Sequence, residues 1–547
     1  MVRPVVFFLL AAFVLWVIAA VATRHVYKGG VIASAVILAA FPGWNVLEIL
    51  IEHTVPLVGA APTLLHHAAY AAAAAAIAIF ATRWRVFQGR RGRAAASLLA
   101  GAAVLWLLVE ILMAPAFGRG ASWWIALYLL LFVALIGYLL QRRSGFVLMT
   151  RTANWFAVAL LLLSFANITY NRPPVLDYEP PSQPETLAGM SGQEGGGENE
   201  QLPDIYFIVL DGYLRGDVLR DAAAYNNMPF LRDLETAGVH HADRAFANYH
   251  SMIMTVVSCL NMDYLDAFAP EQGAGNLRHL ARLYNDNRVF KFLRGQGYVL
   301  AGFPPGLELL EPRATVDEYH RPSDILGEFE LVLAENTAAA RLLEALHYAR
   351  HRTPLSMREV VERRRTLYVM ETLPDIAATP SDAPRFVYAC LTVPGPPFLF
   401  DRQGRRADLA SPALRRDNGG MALSAAALRA AYVEQLHYTN TLLSQTLRDI
   451  LEASAAPPVI IVLSSTGPAG VHFVDDGYEN PLSLANLALF HGPDGVLELP
   501  EDVTPVNVFR ILFNDLFGAE LPLLPGEAIA AFEDAPFERL ATAPVSP

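Results

Sequence analysis

The chain is short of charge, of lysine and of cysteine. Only 17% of its 547 residues are Asp, Glu, Lys or Arg and 54% are hydrophobic, against roughly 25% charged in ordinary soluble domains. That excludes a wholly soluble, a disordered or a nucleic-acid-coating protein, and the length exceeds one ordinary domain. Lysine occurs only at Lys28 and Lys291. Beside so much alanine, the use of arginine everywhere else reads as base-composition bias and carries no mechanism. The two cysteines, Cys259 and Cys390, sit in apolar runs. They read as small buried hydrophobes rather than a disulfide and leave the redox compartment open.

The charge that is present is unevenly placed. Residues 1–172 hold 13 Lys and Arg against 3 Asp and Glu, leaving 28 and 50 for the rest, a split of +10 and −22. The basic half carries six apolar segments, about Val5–Ala22, Val31–Ile51, Leu64–Ile79, Ala95–Met113, Trp123–Leu140 and Ala153–Ile168. Each is near the roughly 20 residues needed to cross a hydrocarbon core. The first lacks a small-residue cleavage site and is followed by five more, so it reads as a retained helix and not a signal peptide. Arg24, Lys28, Arg83, Arg85, Arg90, Arg91, Arg93, Arg142, Arg143 and Arg151 fall on one face, Arg3 and Arg119 on the other. The richer face is cytoplasmic.

Residues 1–171 are therefore expected as a domain of about six transmembrane helices in a bacterial inner membrane, with the lipid bilayer as partner and both ends outside. The second segment carries Pro42, Glu48 and Glu52. If it does not cross, the first helix reverses, but the C-terminal half stays outside. Glu48, Glu52 and Glu110 read as hydrated near the outer surface rather than as a lipid or ion path, and Ala69–Ala76 as a site of close helix packing. Residues 172–203, rich in Pro, Gly, Glu and Gln, read as a flexible tether.

From Asp204 onward, short β-rich runs alternate with amphipathic helices. Ile205–Leu210, Arg385–Leu391 and Val459–Leu463 read as buried strands of a mainly parallel sheet. Asp286–Gln296, Met357–Ile376 and Leu428–Ala453 read as helices, which predicts an α/β layered domain over 204–526 with a tail at 527–547. In such folds the chemistry collects beyond the carboxyl ends of the strands. Those ends carry Asp211, then VPGPPF at 393–398, then SSTGP at 464–468.

The stretches DIYFIVLDGYLRGDVL (204–219), ANYHSMIMTVVSCLNMDYL (247–265), NRVFKFLRGQGY (287–298), PGPPFLFD (394–401) and TPVNVFRILFNDLFGAELPLLP (504–525) together resemble the membrane-anchored, sulfatase-like branch of the alkaline phosphatase superfamily. That branch includes lipoteichoic acid synthase and the phosphoethanolamine transferases. The resemblance implies an alkaline-phosphatase/sulfatase-like α/β fold outside the membrane and metal-dependent transfer or hydrolysis of phosphate or sulfate esters. It further implies a metal held by a carboxylate after the first strand and an Asp-His pair after a later one, activating a Thr, Ser or modified Cys at a helix start.

On that pattern only Asp211 is in place, as a vestigial metal ligand. The nucleophile position is Met252, whose thioether has no proton to lose. The Asp-His positions are Ser465 and Thr466, and the family His position is Gly395. Losing a nucleophile alone costs about 10⁶ in kcat. The expectation is a pseudoenzyme without a cofactor, binding an envelope lipid, a glycan or an active partner enzyme, or serving assembly. The acidic external half argues against nucleic acid. The alternative is a rewired enzyme holding Mn, Zn, Mg or Ca, with Ser251 or His250 at the helix start and His472, Asp475 and Asp476 as replacement ligands. Against it, Ser251 reads as an N-cap, His472 as a solvated side chain, and His240 and His241 as strand neighbours pointing apart.

Overall fold

The computed structural model describes residues 202–269, 277–305, 310, 312, 315–323, 331, 356–407, 425–468, 484–493, 496–497, 499–531 and 535–544. All lie in one of the chain's two compact units, comprising Val175–Arg416 and Met421–Pro547 among its residues. The six apolar segments and nearly all of the tether lie outside the described residues. Among the described residues no helix is long and apolar enough to cross a membrane.

In chain order the elements are β1 (Ile205–Asp211), α1 (Gly216–Ala223), α2 (Met228–Thr236), β2 (His240–His241), α3 (Met252–Asn261), α4 (Leu277–Asn285), α5 (Arg288–Gly295), β3 (Val299–Gly302) and β4 (Glu318–Tyr319). They continue with α6 (Met357–Ala378), β5 (Arg385–Pro394), α7 (Ala425–Ala453), β6 (Val459–Ser464), β7 (Ala488–His491), α8 (Pro505–Phe517), β8 (Glu527–Ala530) and β9 (Ala541–Pro544). Seven strands form one sheet in the order β2-β7-β6-β1-β5-β3-β4. β1 is central and parallel to β5 and β6, β3 is parallel to β5 and β4, and β7 runs antiparallel to both its neighbours.

Every residue of β1, β5 and β6 is buried, as in a parallel sheet covered on both faces. Ile205, Phe207 and Val209 face one core with side chains of α3, α4, α5 and α8; Tyr206, Ile208 and Leu210 face the other, with α1, α2, α6 and α7. The first core is aromatic: the Phe509 ring meets Phe207 edge-on at 5.0 Å, and Phe292 and Phe513 lie 4.5 Å apart.

Local chemistry sets the helix ends. Asn287 caps α5 by accepting the Phe290 N–H at 2.8 Å, so that helix begins at Arg288 and not at Asp286. α8 starts with Pro505 and stops at Gly518, whose φ of 63° is the left-handed cap conformation. The residues set apart in the sequence as a C-terminal tail are a correction. β8 and β9 pair, Ile529 N–H donates to Asn248 O at 2.8 Å, and Ile529 and Phe537 are buried in the first core.

Candidate functional site

The parallel strands deliver three loops to one place. β1 ends on Asp211, whose sheet partner on β5 is Pro394, and Leu210 is paired with Ser464 of β6. Main-chain hydrogen bonds then join the loops to each other. Gly395 N–H donates to Asp211 O at 2.8 Å, Gly212 N–H to Thr466 O at 3.1 Å and Ser465 N–H to Leu210 O at 2.9 Å. The backbones also touch: a Cβ on Gly212 would stand 2.7 Å from Gly395 Cα and 3.2 Å from Pro468 Cα, and Gly212 has φ of 79°. Only glycine meets both demands without strain.

Side chains complete the seal. The Ser465 hydroxyl donates to Asp211 Oδ1 at 3.2 Å, Tyr213 N–H donates to Ser464 Oγ at 2.9 Å, and the Thr466 hydroxyl is turned onto Gly467 O at 2.6 Å. α7 braces the same loops from the opposite face of the sheet. Tyr432 OH donates to Gly212 O at 2.8 Å, and Gln435 Nε2 donates to Pro394 O at 3.0 Å and Gly395 O at 2.8 Å while its Oε1 accepts Leu399 N–H. Gln435 is fully buried, with both halves of its amide engaged.

Met252 opens α3 and is buried in the first core, with only 6% of its surface exposed. Ser251 stands at the N-cap position with extended backbone, and its hydroxyl makes no cap hydrogen bond to α3. His250 is half-buried. The structure therefore brings together Asp211, Ser465, Thr466 and Gly395. His472, Asp475 and Asp476 lie outside the described residues. His240 is exposed, while His241 is half-buried between Glu235 at 3.0 Å and Asp243 at 3.1 Å. Cys259 and Cys390 are free and buried.

The described donor set does not fit the divalent metal that the resemblance implies. Such an ion needs several carboxylate, imidazole or thiolate ligands around one open point. Here one carboxylate already accepts a serine hydroxyl, the neighbouring hydroxyl is spent on a carbonyl, and two glycine backbones meet between the loops. Among the described residues no group of three or more His, Cys, Asp or Glu is placed to hold a metal ion.

Three contributors to the site escape sequence reasoning. Tyr432 and Gln435 lie on one face of a long helix whose pattern shows only amphipathicity. The third is a buried ion pair on α6, Arg365 Nη1 to Glu362 Oε2 at 3.0 Å, within the run ERRR. Its neighbours act differently. Arg363 lies over the Phe400 ring at 4.4 Å and donates to Leu399 O at 2.8 Å, and Arg364 lies at the surface beside Glu371. The i, i+3 spacing of Glu362 and Arg365 was the available signal, and it is equally that of a solvated pair.

No protein-family model and no curated protein matches the chain. Solved structures do match. The C-terminal periplasmic domain of the phosphoethanolamine transferase EptC from Campylobacter jejuni aligns at 13% identity over 59% of this chain and 97% of that one, with a TM-score of 0.37. The corresponding domain from Escherichia coli, in a complex with Zn, aligns at 10% identity over 68% and 96%, with a TM-score of 0.40. A putative sulfatase from Bacteroides thetaiotaomicron aligns at 11% identity over 58% and 72%, with a TM-score of 0.37.

Proposed function

We propose that the chain is a multi-pass inner-membrane protein whose extracytoplasmic sulfatase-like domain has kept its fold and lost catalysis, and that it serves the cell envelope by binding or assembly. The observation that carries this reading is Met252. It opens α3 and is packed into the core, and the motif resemblance aligns it with the position of the family's hydroxyl or modified thiol. No proton can leave a thioether, so no alkoxide forms there. The loops support the same conclusion, because Asp211 is joined to a serine hydroxyl and the loop backbones are bonded to one another. Its partner is then an envelope lipid, a glycan or an active enzyme, engaged without turnover.

The test is metal content and turnover together. Full-length protein in detergent, incubated with Mn²⁺, Zn²⁺, Mg²⁺ or Ca²⁺ and desalted, is expected to retain no specific metal by elemental analysis. It is also expected to cleave neither a phosphodiester nor a sulfate ester. About one equivalent of metal, lost in Asp211→Ala, would overturn the proposal and favour the rewired enzyme with Ser251, His250, His472, Asp475 and Asp476.

A further inference from the structure

The other end of β1, opposite the joined loops, holds polar groups that the strand-end site does not use. Three hydrogen bonds fix the chain as it enters the sheet: Pro203 O accepts the Tyr298 hydroxyl at 3.0 Å, Asp204 O accepts Val459 N–H at 2.8 Å, and Asp204 Oδ1 accepts Arg385 N–H at 2.7 Å. Ile205 is paired with Phe386 and Tyr206 with Val387, so Asp204 lies opposite Arg385 and Tyr206 is a diagonal neighbour of Arg385. Both side chains belong to the α6 face of the sheet. Tyr206 is in the second core, and Arg385 closes the end of α6, with Nη1 donating to Thr379 O at 2.7 Å and to Ile376 O at 3.2 Å and Nη2 to Pro380 O at 3.2 Å. Tyr206 is fully buried and Arg385 is 6% exposed, yet among the described residues neither the Tyr206 hydroxyl nor Arg385 Nε has a hydrogen-bond partner. Buried donors left unbonded are costly and rare. Burial raises the Tyr206 hydroxyl's pKa, Asp204 raises it further and Arg385 lowers it, in keeping with both charges standing near that oxygen.

We infer that Tyr206, Arg385 and Asp204 form a binding site for one internal water molecule where the chain enters the sheet. The count of donors and acceptors fits water. Its oxygen accepts Arg385 Nε–H and the Tyr206 O–H, and one of its hydrogens goes to the Asp204 carboxylate, which makes the usual three bonds of a buried water. Asp204 disfavours an anion in this place, and the guanidinium disfavours a metal ion. Asp204 is only half-buried, which gives water a way in. The water then links the arginine that closes α6 to the residue that opens the central strand, and it does so independently of the strand-end loops.

Two measurements on full-length protein in detergent test this. A density map fine enough to show ordered water is expected to place one peak within roughly 3 Å of Tyr206 Oη, Arg385 Nε and a carboxylate oxygen of Asp204. No peak there, or a Tyr206 hydroxyl lying directly on Arg385 or Asp204, overturns the proposal. Tyr206→Phe removes one of the water's partners and is expected to raise the unfolding equilibrium constant about 5-fold in chemical denaturation. Without the water the hydroxyl is an unbonded buried group, so a Tyr206→Phe variant as stable as the parent, or more stable, also overturns the proposal. In Tyr206→Phe/Arg385→Lys the combined loss is expected to fall short of the product of the single losses by at least about 2-fold; strictly multiplicative losses would mean that the two groups share no guest. Should the variants not fold, the map decides.

Discussion

Gly212 and Gly395 meet backbone to backbone, and the closeness of that meeting has a measurable consequence. Gly212→Ala places a methyl 2.7 Å from Gly395 Cα at a residue with φ of 79°. The expected loss is about 3 kcal/mol from strain and overpacking, read as a lower midpoint in chemical denaturation; a change below about 1 kcal/mol would show that the loops stand apart. A second residue-scale outcome depends on pH. Burial by itself would raise the Asp217 carboxyl, but Arg215 bonds both its oxygens at 2.8 Å and holds it below its ordinary value of 3.8. A depressed carboxyl contributes stability above its unfolded value and loses it as pH falls through the folded one. Asp217 is 42% exposed, so the solvent-screened contribution is at most about 0.5 kcal/mol. Asp217→Asn is expected to cost that much at pH 7 and nothing once pH has fallen below the folded value, by urea melts at both. A difference that persists in acid would assign the effect to packing. Asp211 was legible at this scale, because an acidic residue ending a buried strand is distinctive. Arg365 was not, since burial among three adjacent arginines is settled by the helix's rotation against the sheet.

α3 is the element that presents Met252, and it is anchored from behind. Arg288 Nη1 donates to Asn261 O at 3.2 Å and Arg510 Nε to Met262 O at 2.8 Å, so two guanidinium groups meet the carbonyl end of the helix, where cations are favoured. Burial lowers both arginines' pKa, which marks how far this clamp is withdrawn from water. At the other end, Asn248 accepts Val506 N–H at 3.0 Å and donates to Glu527 O at 3.0 Å, tying the approach to α3 to α8 and β8. The last residues are therefore part of this anchor. Truncation after Gly526 removes the buried Ile529 and Phe537 and is expected to cost roughly 4 kcal/mol. Limited proteolysis and a thermal melt check it, and an unchanged melting temperature would return these residues to the status of a tail. The central strands and long helices were legible as elements because their apolar runs are continuous or periodic. β8 and β9 were not, because a four-residue segment rich in alanine acquires strand character only from a partner.

At the scale of the whole molecule, charge divides the chain into a basic half of +10 and an acidic half of −22. The topology this predicts is testable with one added thiol. Cys259 and Cys390 are buried, whereas Ser381 is exposed in the turn between α6 and β5. Ser381→Cys is expected to react with a membrane-impermeant maleimide in cells with a permeabilised outer membrane, against an unreactive parent. Labelling only after lysis would put the domain on the cytoplasmic side. The α/β class, the central strands and Asp211 at a strand end followed from sequence alone, because burial on both faces of a parallel sheet writes itself as uninterrupted β-branched and aromatic runs. Tertiary structure alone decided that the strand-end loops are bonded to each other, that Gln435 and Tyr432 brace them, and that Glu362 and Arg365 are buried as a pair. Those contacts join residues up to 255 positions apart, as Ser465 and Leu210 are. No local pattern encodes them, because their energy arises only when the sheet has set the register of its neighbours.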